Sequence, residues 1–279
     1  MRTFAEQKAL VSQLNLMDDL FFHKVAEDKA ACEEILRIIL KKPDLTVKDC
    51  QPQRFLRNVD AHSVILDVLC TDDSGRLFNI EVQKQDNDAH QRRVRFNISN
   101  IDTAFMEKGL HYKEFPDVCV VYISEFDIFR KNRTLYHVRR IIEETSDFVE
   151  NGTHEVYVNA AVDDRSAIAE LMQYFLNSNG YHENFKAVCN RVNYLKEANE
   201  GVNSMSSVIE QYAQEYAKQY HEERVQEERN KMLHAQTENT RETIIRLLKA
   251  GVTEEVIAQA IPSVSPKTIQ KLKHKLESR

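Results

Sequence analysis

The chain has no tryptophan, only six glycines and five prolines, and no run of the roughly eighteen apolar residues that a membrane-spanning helix needs. We therefore expect no membrane span. The N-terminus also lacks the apolar core of a signal peptide, so we expect a cytoplasmic protein. The net charge of −6 argues against a surface that is basic throughout, although a local basic patch can still bind nucleic acid.

The chain contains no CxxC pair and no cysteine–histidine cluster, so the spacing gives no indication of a zinc site. Its five cysteines are odd in number and scattered, and several lie in apolar stretches. This distribution is typical of buried thiols in a reducing compartment. The cysteines are Cys32, Cys50, Cys70, Cys119 and Cys189.

The most informative segment is 64–85, VILDVLCTDDSGRLFNIEVQKQ, whose pattern predicts two strands joined by a DDSG turn. Asp67 lies on the first predicted strand, and Glu81 and Gln83 lie on the second. A hairpin folds the two carboxylates toward one point, and hard divalent cations take oxygen ligands. The spacing alone leaves an alternative open, in which Asp67 caps a turn or pairs with an arginine and Glu81 is solvated.

Other elements follow from periodicity and chain breakers. Apolar positions at helical spacing predict one helix over residues 17–41, ended by Pro43, and then a connecting strand or loop at 45–60. The remaining predictions, in chain order, are an amphipathic helix at 91–108 stopped by Gly109, a strand at Val118–Ser124 and a shorter strand at 155–160. From about residue 163 onward the chain is predicted to be helical.

Several blocks in this order resemble the PD-(D/E)xK nuclease superfamily, in particular its transposase-like, recombination-promoting nuclease branch. The blocks are the opening helical segment MDDLFFHKVAEDKAACEEILRII, the hairpin with N-I-E-V-Q, the segment QRRVRFNISNIDTAFMEKGLHY, and FPDVCVVYISEFDIF. The resemblance covers roughly the first 200 residues, and the ordered series is far more specific than any single block. It implies an α/β fold, with a restriction-endonuclease-like core of a mixed sheet flanked by helices and an all-helical C-terminal region.

The resemblance also implies an activity and a cofactor. A Mg²⁺ or Mn²⁺ ion would be held by Asp67, Glu81 and the backbone carbonyl of Val82. The implied reaction is metal-dependent hydrolysis of DNA phosphodiester bonds by an endonuclease linked to recombination or mobile DNA.

The chain departs from the superfamily pattern at two positions. Gln83 stands where the usual pattern has a lysine; an amide supplies no charge, but it can orient a water by hydrogen bonding. E-x-Q is similar to what the transposase-like branch carries. The residue two before the strand acid is often basic in this family, and here it is Ile65, which removes one phosphate contact. The resemblance suggests Arg93 or Arg95 as the source of the missing positive charge.

Asp19 is a further candidate catalytic residue, placed by the resemblance before the aromatic pair of the first helix. An alternative use for it is to complement the helix dipole from the first turn. Asp18 competes with it for the cap position.

We predict three parts: a nuclease-like core at 1–162, a helical region at 163–236 ending in a long helix over 204–236, and a small helix-turn-helix-like tail at 237–279. In the tail, Lys267 and Lys271 would contact DNA phosphates. The alternatives for this basic face are solvation, a helical cap or a dimer contact. The long helix carries Ile209, Tyr212, Tyr216 and Tyr220 on one stripe, which favours packing on the body or on a second copy.

Three functions stay open at this level. The first is a metal-dependent DNA endonuclease. The second is a catalytically weak or inactive nuclease fold that binds nucleic acid. The third is an interaction protein, such as a self-associating scaffold with a helical stalk. A homodimer through the C-terminal helices is a separate expectation, which also suits a nuclease that cuts two strands with two subunits. The two acids on the predicted hairpin favour the first, because a purely structural protein has no reason to bury an acid in an apolar strand opposite another.

Overall fold

The structure is a computed structural model that describes residues 3–56, 64–106 and 111–277. Some side chains within the helices lie outside the description, at 215, 216, 219, 220, 222, 223, 235 and 277. The chain forms two compact units, residues 1–210 and 211–279, and each is described by itself. The three-part division expected from the sequence, with boundaries after 162 and 236, stays a prediction.

The first unit is built on a mixed six-stranded sheet. Its strands are β1 Val47–Leu56, β2 Val64–Asp72, β3 Leu77–Gln83, β4 Val118–Ser124, β5 Leu135–Val138 and β6 Thr153–Asn159. Their order in the sheet is β1-β2-β3-β4-β6-β5. β1, β2 and β3 pair antiparallel, β4 runs parallel to both β3 and β6, and β5 is antiparallel to β6. The segment at 45–60, which the sequence left as strand or loop, thus contains strand β1.

The predicted hairpin is confirmed as β2 and β3. Its turn is fixed by Asp72, whose Oδ1 accepts hydrogen bonds from the backbone N–H groups of Ser74 and Arg76, both at 2.9 Å. Gly75 has φ +84°, a left-handed conformation that glycine adopts without steric cost. The turn residues therefore set the point at which the chain reverses, and with it the approach of the two acids.

Helices cover both faces of the sheet. They are α1 Phe4–Ser12, α2 Asp19–Val25, α3 Lys29–Leu40, α4 His90–Phe105, α5 Ala167–Asn177, α6 Lys186–Glu197 and the part of α7 Asn199–Lys249 that precedes residue 211. The single helix predicted over 17–41 is wrong. α2 ends at Val25, and α3 begins after Asp28, whose side chain accepts hydrogen bonds from the N–H groups of Ala30 and Ala31. The predicted stop of α4 at Gly109 lies outside the described residues.

Two apolar cores form on the two faces. The larger joins α2, α3, α5 and α6 to one face of the sheet through residues such as Phe22, Ile35 and Ile80. The smaller packs α4 on the other face through Val94, Ile101 and Tyr122. α4 connects β3 to β4 across this face, which is why the two strands run parallel.

The second unit contains the C-terminal part of α7, then α8 Glu254–Ala260 and α9 Pro266–Glu277. The three helices meet at Ile244, Ile257 and Ile269. α7 ends in a Schellman turn, with the N–H of Val252 donating to the carbonyl of Leu247 at 3.1 Å.

The long helix is longer than predicted, because α7 continues without a break through 204–236 to Lys249, inside the region predicted as a separate tail. Of the stripe expected on it, Ile209 packs on the larger core and Tyr212 is exposed. The side chains of Tyr216 and Tyr220 lie outside the described residues.

The α/β fold expected from the resemblance is confirmed: a mixed sheet with flanking helices and a helical C-terminal region, consistent with a restriction-endonuclease-like fold. Among the described residues, no helix is both long and apolar enough to cross a bilayer.

Candidate active site

The two acids of the hairpin lie where β2 and β3 diverge. Backbone pairing of the strands runs as far as Val68 and Ile80. One step further, the backbone N–H of Asp67 donates to Glu81 Oε1 at 3.2 Å, and the backbone N–H of Val82 donates to Asp67 Oδ2 at 2.9 Å. Each carboxylate thus accepts a backbone donor of the opposite strand, and the two are held side by side.

Glu81 is buried, with 7% of its surface exposed, so the alternative in which it is solvated is wrong. Burial and the negative charge of Asp67 raise the pKa of the Glu81 carboxyl to about 8. The amide of Asn79 partly offsets this by donating to Glu81 Oε1 at 2.8 Å. Asn97 in turn donates to Asn79 Oδ1 at 3.5 Å, so buried amides reaching from α4 support the acid.

Helix α2 places two more titratable side chains at this point. Asp19 lies in its first turn, and burial followed by the charge of Asp67 raises the Asp19 pKa above its ordinary value. His23, one turn later, has Nε2 at 3.3 Å from Asp67 Oδ1. Its Nδ1 is buried and has no hydrogen-bond partner within the part of the chain that the structure describes.

Sequence reasoning missed His23. The signal was available, because residues four apart lie on the same side of a helix, and His23 follows Asp19 by four. Asp18, the competing acid, occupies the N-cap position of α2 without a capping hydrogen bond from its side chain, and it pairs with Lys84 at 2.7 Å.

The side chain of Gln83 is held from several directions. Its Oε1 accepts hydrogen bonds from Arg93 of α4 and, at 3.4 Å, from the Tyr122 hydroxyl of β4. Its Nε2 donates to the carbonyl of Gln85 at 2.8 Å. Arg93 also acts electrostatically on Glu81, lowering its pKa. The guanidinium therefore contacts Gln83 directly and acts on the buried acid through its charge.

A second hydrogen-bonded chain supports Tyr122. His90 Nδ1 lies 3.0 Å from the Tyr122 hydroxyl, and His90 Nε2 lies 2.8 Å from Asp86 Oδ1. Asp86, His90, Tyr122 and Gln83 thus form one continuous series. The sequence analysis did not identify His90 or Tyr122 as site residues. The series joins a loop, a helix and two strands, and such a contact cannot be read from spacing along the chain.

The other predicted nucleic-acid contacts lie elsewhere. Arg95 is exposed on α4, but it follows Arg93 by two residues and therefore projects from another side of the helix. Lys267 and Lys271 are exposed on α9 in the second unit, four residues apart and so on one side of the helix.

A comparison with protein families identifies the family of this chain. The family model described as PD-(D/E)XK nuclease family transposase matches residues 19–158, half of the chain. The chain belongs to this family. The match begins at Asp19 and contains Asp67, Glu81, Gln83 and Arg93. No curated protein and no solved structure matches the chain.

Nucleases of the PD-(D/E)XK family generally use divalent metals, and the residues present here fit such an ion. Two carboxylates meet, and the N–H and C=O of a strand residue point to the same side, which directs the Val82 carbonyl toward Asp67. Hard divalent cations take oxygen ligands of this kind. Burial and the charge of Asp67 raise the pKa of Glu81, and a cation between the two carboxylates would favour the ionised form of both.

Proposed function

We propose that this protein is a Mg²⁺- or Mn²⁺-dependent DNA endonuclease that hydrolyses phosphodiester bonds, in recombination or on mobile DNA. The observation that supports this most strongly is the reciprocal hydrogen bonding of Asp67 and Glu81, which fixes two carboxylates at one point inside a nuclease-family sheet. Cytoplasmic location and a homodimer through the C-terminal helices remain predictions within the same proposal.

Asp67, Glu81 and the carbonyl of Val82 are the proposed metal ligands. The ion would supply an activated water and neutralise charge on the phosphate. Asp19 would bind a water at the same point, consistent with its electrostatic coupling to Asp67. His23 is a positioning residue, since its Nε2 contacts the Asp67 carboxylate and orients it.

Gln83 and Arg93 would together replace the lysine of the usual pattern. The Gln83 amide would orient a water through its hydrogen-bonding groups, whereas the Arg93 guanidinium would supply the positive charge at the scissile phosphate. The contact between the two side chains supports this division of roles.

The proposal is tested by incubating the purified protein with supercoiled plasmid and Mg²⁺, with an EDTA-treated sample in parallel. We expect nicked or linear product only with the metal. Salt-sensitive DNA retention without cutting would instead indicate an inactive DNA-binding member of the family. If the protein neither cuts nor retains DNA, the result would favour the third function, a self-associating interaction protein.

Replacing Arg93 with alanine is expected to lower the nicking rate about 100-fold, the scale seen when one preorganised donor to developing charge is lost. Arg93→Lys should retain more activity than Arg93→Ala, because the charge persists. Arg92→Ala is the matched control, since Arg92 is the exposed neighbour on the same helix. Equal losses in Arg92→Ala and Arg93→Ala would contradict a specific role for Arg93.

The exposed lysines of α9 would bind DNA phosphates without reading sequence. In a titration of DNA binding against salt, Lys267→Ala with Lys271→Ala should reduce the slope of log K against log salt by about 2, roughly 0.9 for each phosphate contact. Lys273→Ala is the control, because Lys273 pairs with Glu254 at 2.8 Å. An unchanged slope in the double variant would remove these lysines from the DNA contact.

A further inference from the structure

Three of the five cysteines meet inside the larger core, although their spacing in the sequence gave no indication of a site. Cys32 comes from α3, Cys50 from β1 and Cys70 from β2. Their sulfur atoms all lie within 4.8 Å of one another, and Cys50 Sγ is 2.9 Å from both Cys32 Sγ and Cys70 Sγ. The expected burial is confirmed for Cys32 and Cys70, whereas the meeting of the three sulfur atoms could not be predicted from their spacing.

The convergence follows from strand register and helix packing. Cys50 and Cys70 are directly opposite partners in the antiparallel pair of β1 and β2, so their side chains leave the same face of the sheet. α3 packs on that face, and Cys32 is one of its buried residues. The local sequence around each cysteine does not predict this contact. The three side chains meet only after β1 has paired with β2 and α3 has packed on the sheet.

We propose that Cys32, Cys50 and Cys70 form a binding site for one thiophilic metal ion of the Zn²⁺ class, distinct from the carboxylate site. Thiolates are the ligands that such ions prefer, whereas Mg²⁺ and Mn²⁺ prefer carboxylate and carbonyl oxygens. The ion would cross-link α3, β1 and β2, and so stabilise the strand that carries Asp67.

The sulfur geometry favours a shared ion over a single disulfide. Zinc binds thiolates at about 2.3 Å, which places tetrahedrally arranged sulfurs about 3.8 Å apart, within the 4.8 Å span observed here. The two 2.9 Å contacts would therefore open by less than an ångström. A disulfide, at about 2.05 Å, would use two sulfurs and leave the third pressed against the bond.

The exposure of the three cysteines is compatible with this assignment. Cys32 and Cys70 are buried and Cys50 is half-buried, so an outside ligand can reach a fourth position from the Cys50 side.

The decisive measurement is X-ray absorption on the full-length, reduced protein loaded with one equivalent of Zn²⁺. We expect about three sulfur neighbours at about 2.3 Å. A shell of oxygen or nitrogen atoms with no sulfur would overturn the proposal. So would a disulfide joining two of the three cysteines in protein purified without reductant, found by mass spectrometry together with an absence of bound zinc.

Variants locate the site. Cd²⁺ binding can be titrated by the charge-transfer absorption of the thiolates. Cys50→Ser should weaken this binding at least about 100-fold, because changing a residue that merely supports a metal ligand already costs up to about 100-fold in affinity. Cys119→Ser, in the same core but outside the cluster, should bind as the wild type does. Asp67→Asn should also keep the absorption band, which separates this site from the carboxylate pair.

A band that survives in Cys50→Ser or disappears in Asp67→Asn would contradict the assignment. Because the X-ray measurement uses the unaltered protein, it decides the question even where a cysteine variant fails to fold.

Discussion

Asp67→Asn is expected to reduce Mg²⁺-dependent plasmid nicking by at least about 1,000-fold, which corresponds to roughly 4 kcal/mol of lost transition-state stabilisation. The substitution keeps the size of the side chain, and an amide oxygen can still accept the hydrogen bond from the Val82 N–H. What it removes is the negative charge that the proposed ion requires. The effect should therefore fall on catalysis rather than on folding.

The matched control is Asp73→Asn, which changes an exposed acid in the turn of the same hairpin. It should nick as fast as the wild type. Circular dichroism and salt-dependent DNA retention should be unchanged in both variants. Equal nicking by wild type and Asp67→Asn would mean that the cutting comes from a contaminant or from another site.

Glu81→Gln is expected to stabilise the metal-free protein at alkaline pH, by roughly 3–5 kcal/mol, while abolishing nicking. The folded-state pKa of Glu81 is raised from an ordinary 4.5 to about 8. Below pH 4.5 both folded and unfolded states hold the proton. Between pH 4.5 and 8 the unfolded state releases it more readily, so the wild type loses stability as the pH rises through this window.

Urea unfolding in EDTA from pH 4.5 to 9 measures this effect. The difference in unfolding free energy between Glu81→Gln and wild type should grow through the window and level off above about pH 8. Acids remote from Glu81 contribute equally to both proteins, so the difference reports the coupled pair of Glu81 and Asp67. Asp73→Asn again serves as the control. A constant difference across the window would show that Glu81 has an ordinary pKa.

Mg²⁺ gives an independent check of the same carboxylate. Added at pH 8, it should restore stability to the wild type, because an ion that binds only the folded state stabilises by mass action. It should stabilise Glu81→Gln much less. Similar stabilisation of both proteins would place the ion away from Glu81.

The two predictions express one physical conflict. A pair of acids close together in a buried site is unfavourable without a cation, and the fold holds Glu81 there through Asn79 and the backbone of Asp67. The two acids therefore lower the free energy of unfolding of the metal-free protein at the position where the proposed metal binds. This is the pattern expected when a site is selected for chemistry rather than for folding.

The sequence was sufficient for much of the first unit. Alternating and apolar runs with a DDSG turn predicted β2 and β3, and the ordered blocks predicted the family and its mixed sheet. The errors lie where a local sequence pattern is compatible with two different secondary structures. An unbroken apolar periodicity over 17–41 concealed the break at Asp28, whose side chain caps α3. The four-residue strand β5 was missed, because so short a strand depends on its partner β6.

What the sequence by itself determined is the scaffold: the hairpin, its two acids and the family to which they belong. These depend on spacing and side-chain type along adjacent stretches of chain. Only the tertiary structure decided the burial of Glu81, the contact of His23 with Asp67, and the meeting of three cysteines. Each of these joins positions from separate elements, and such contacts exist only once the sheet has paired and the helices have packed upon it.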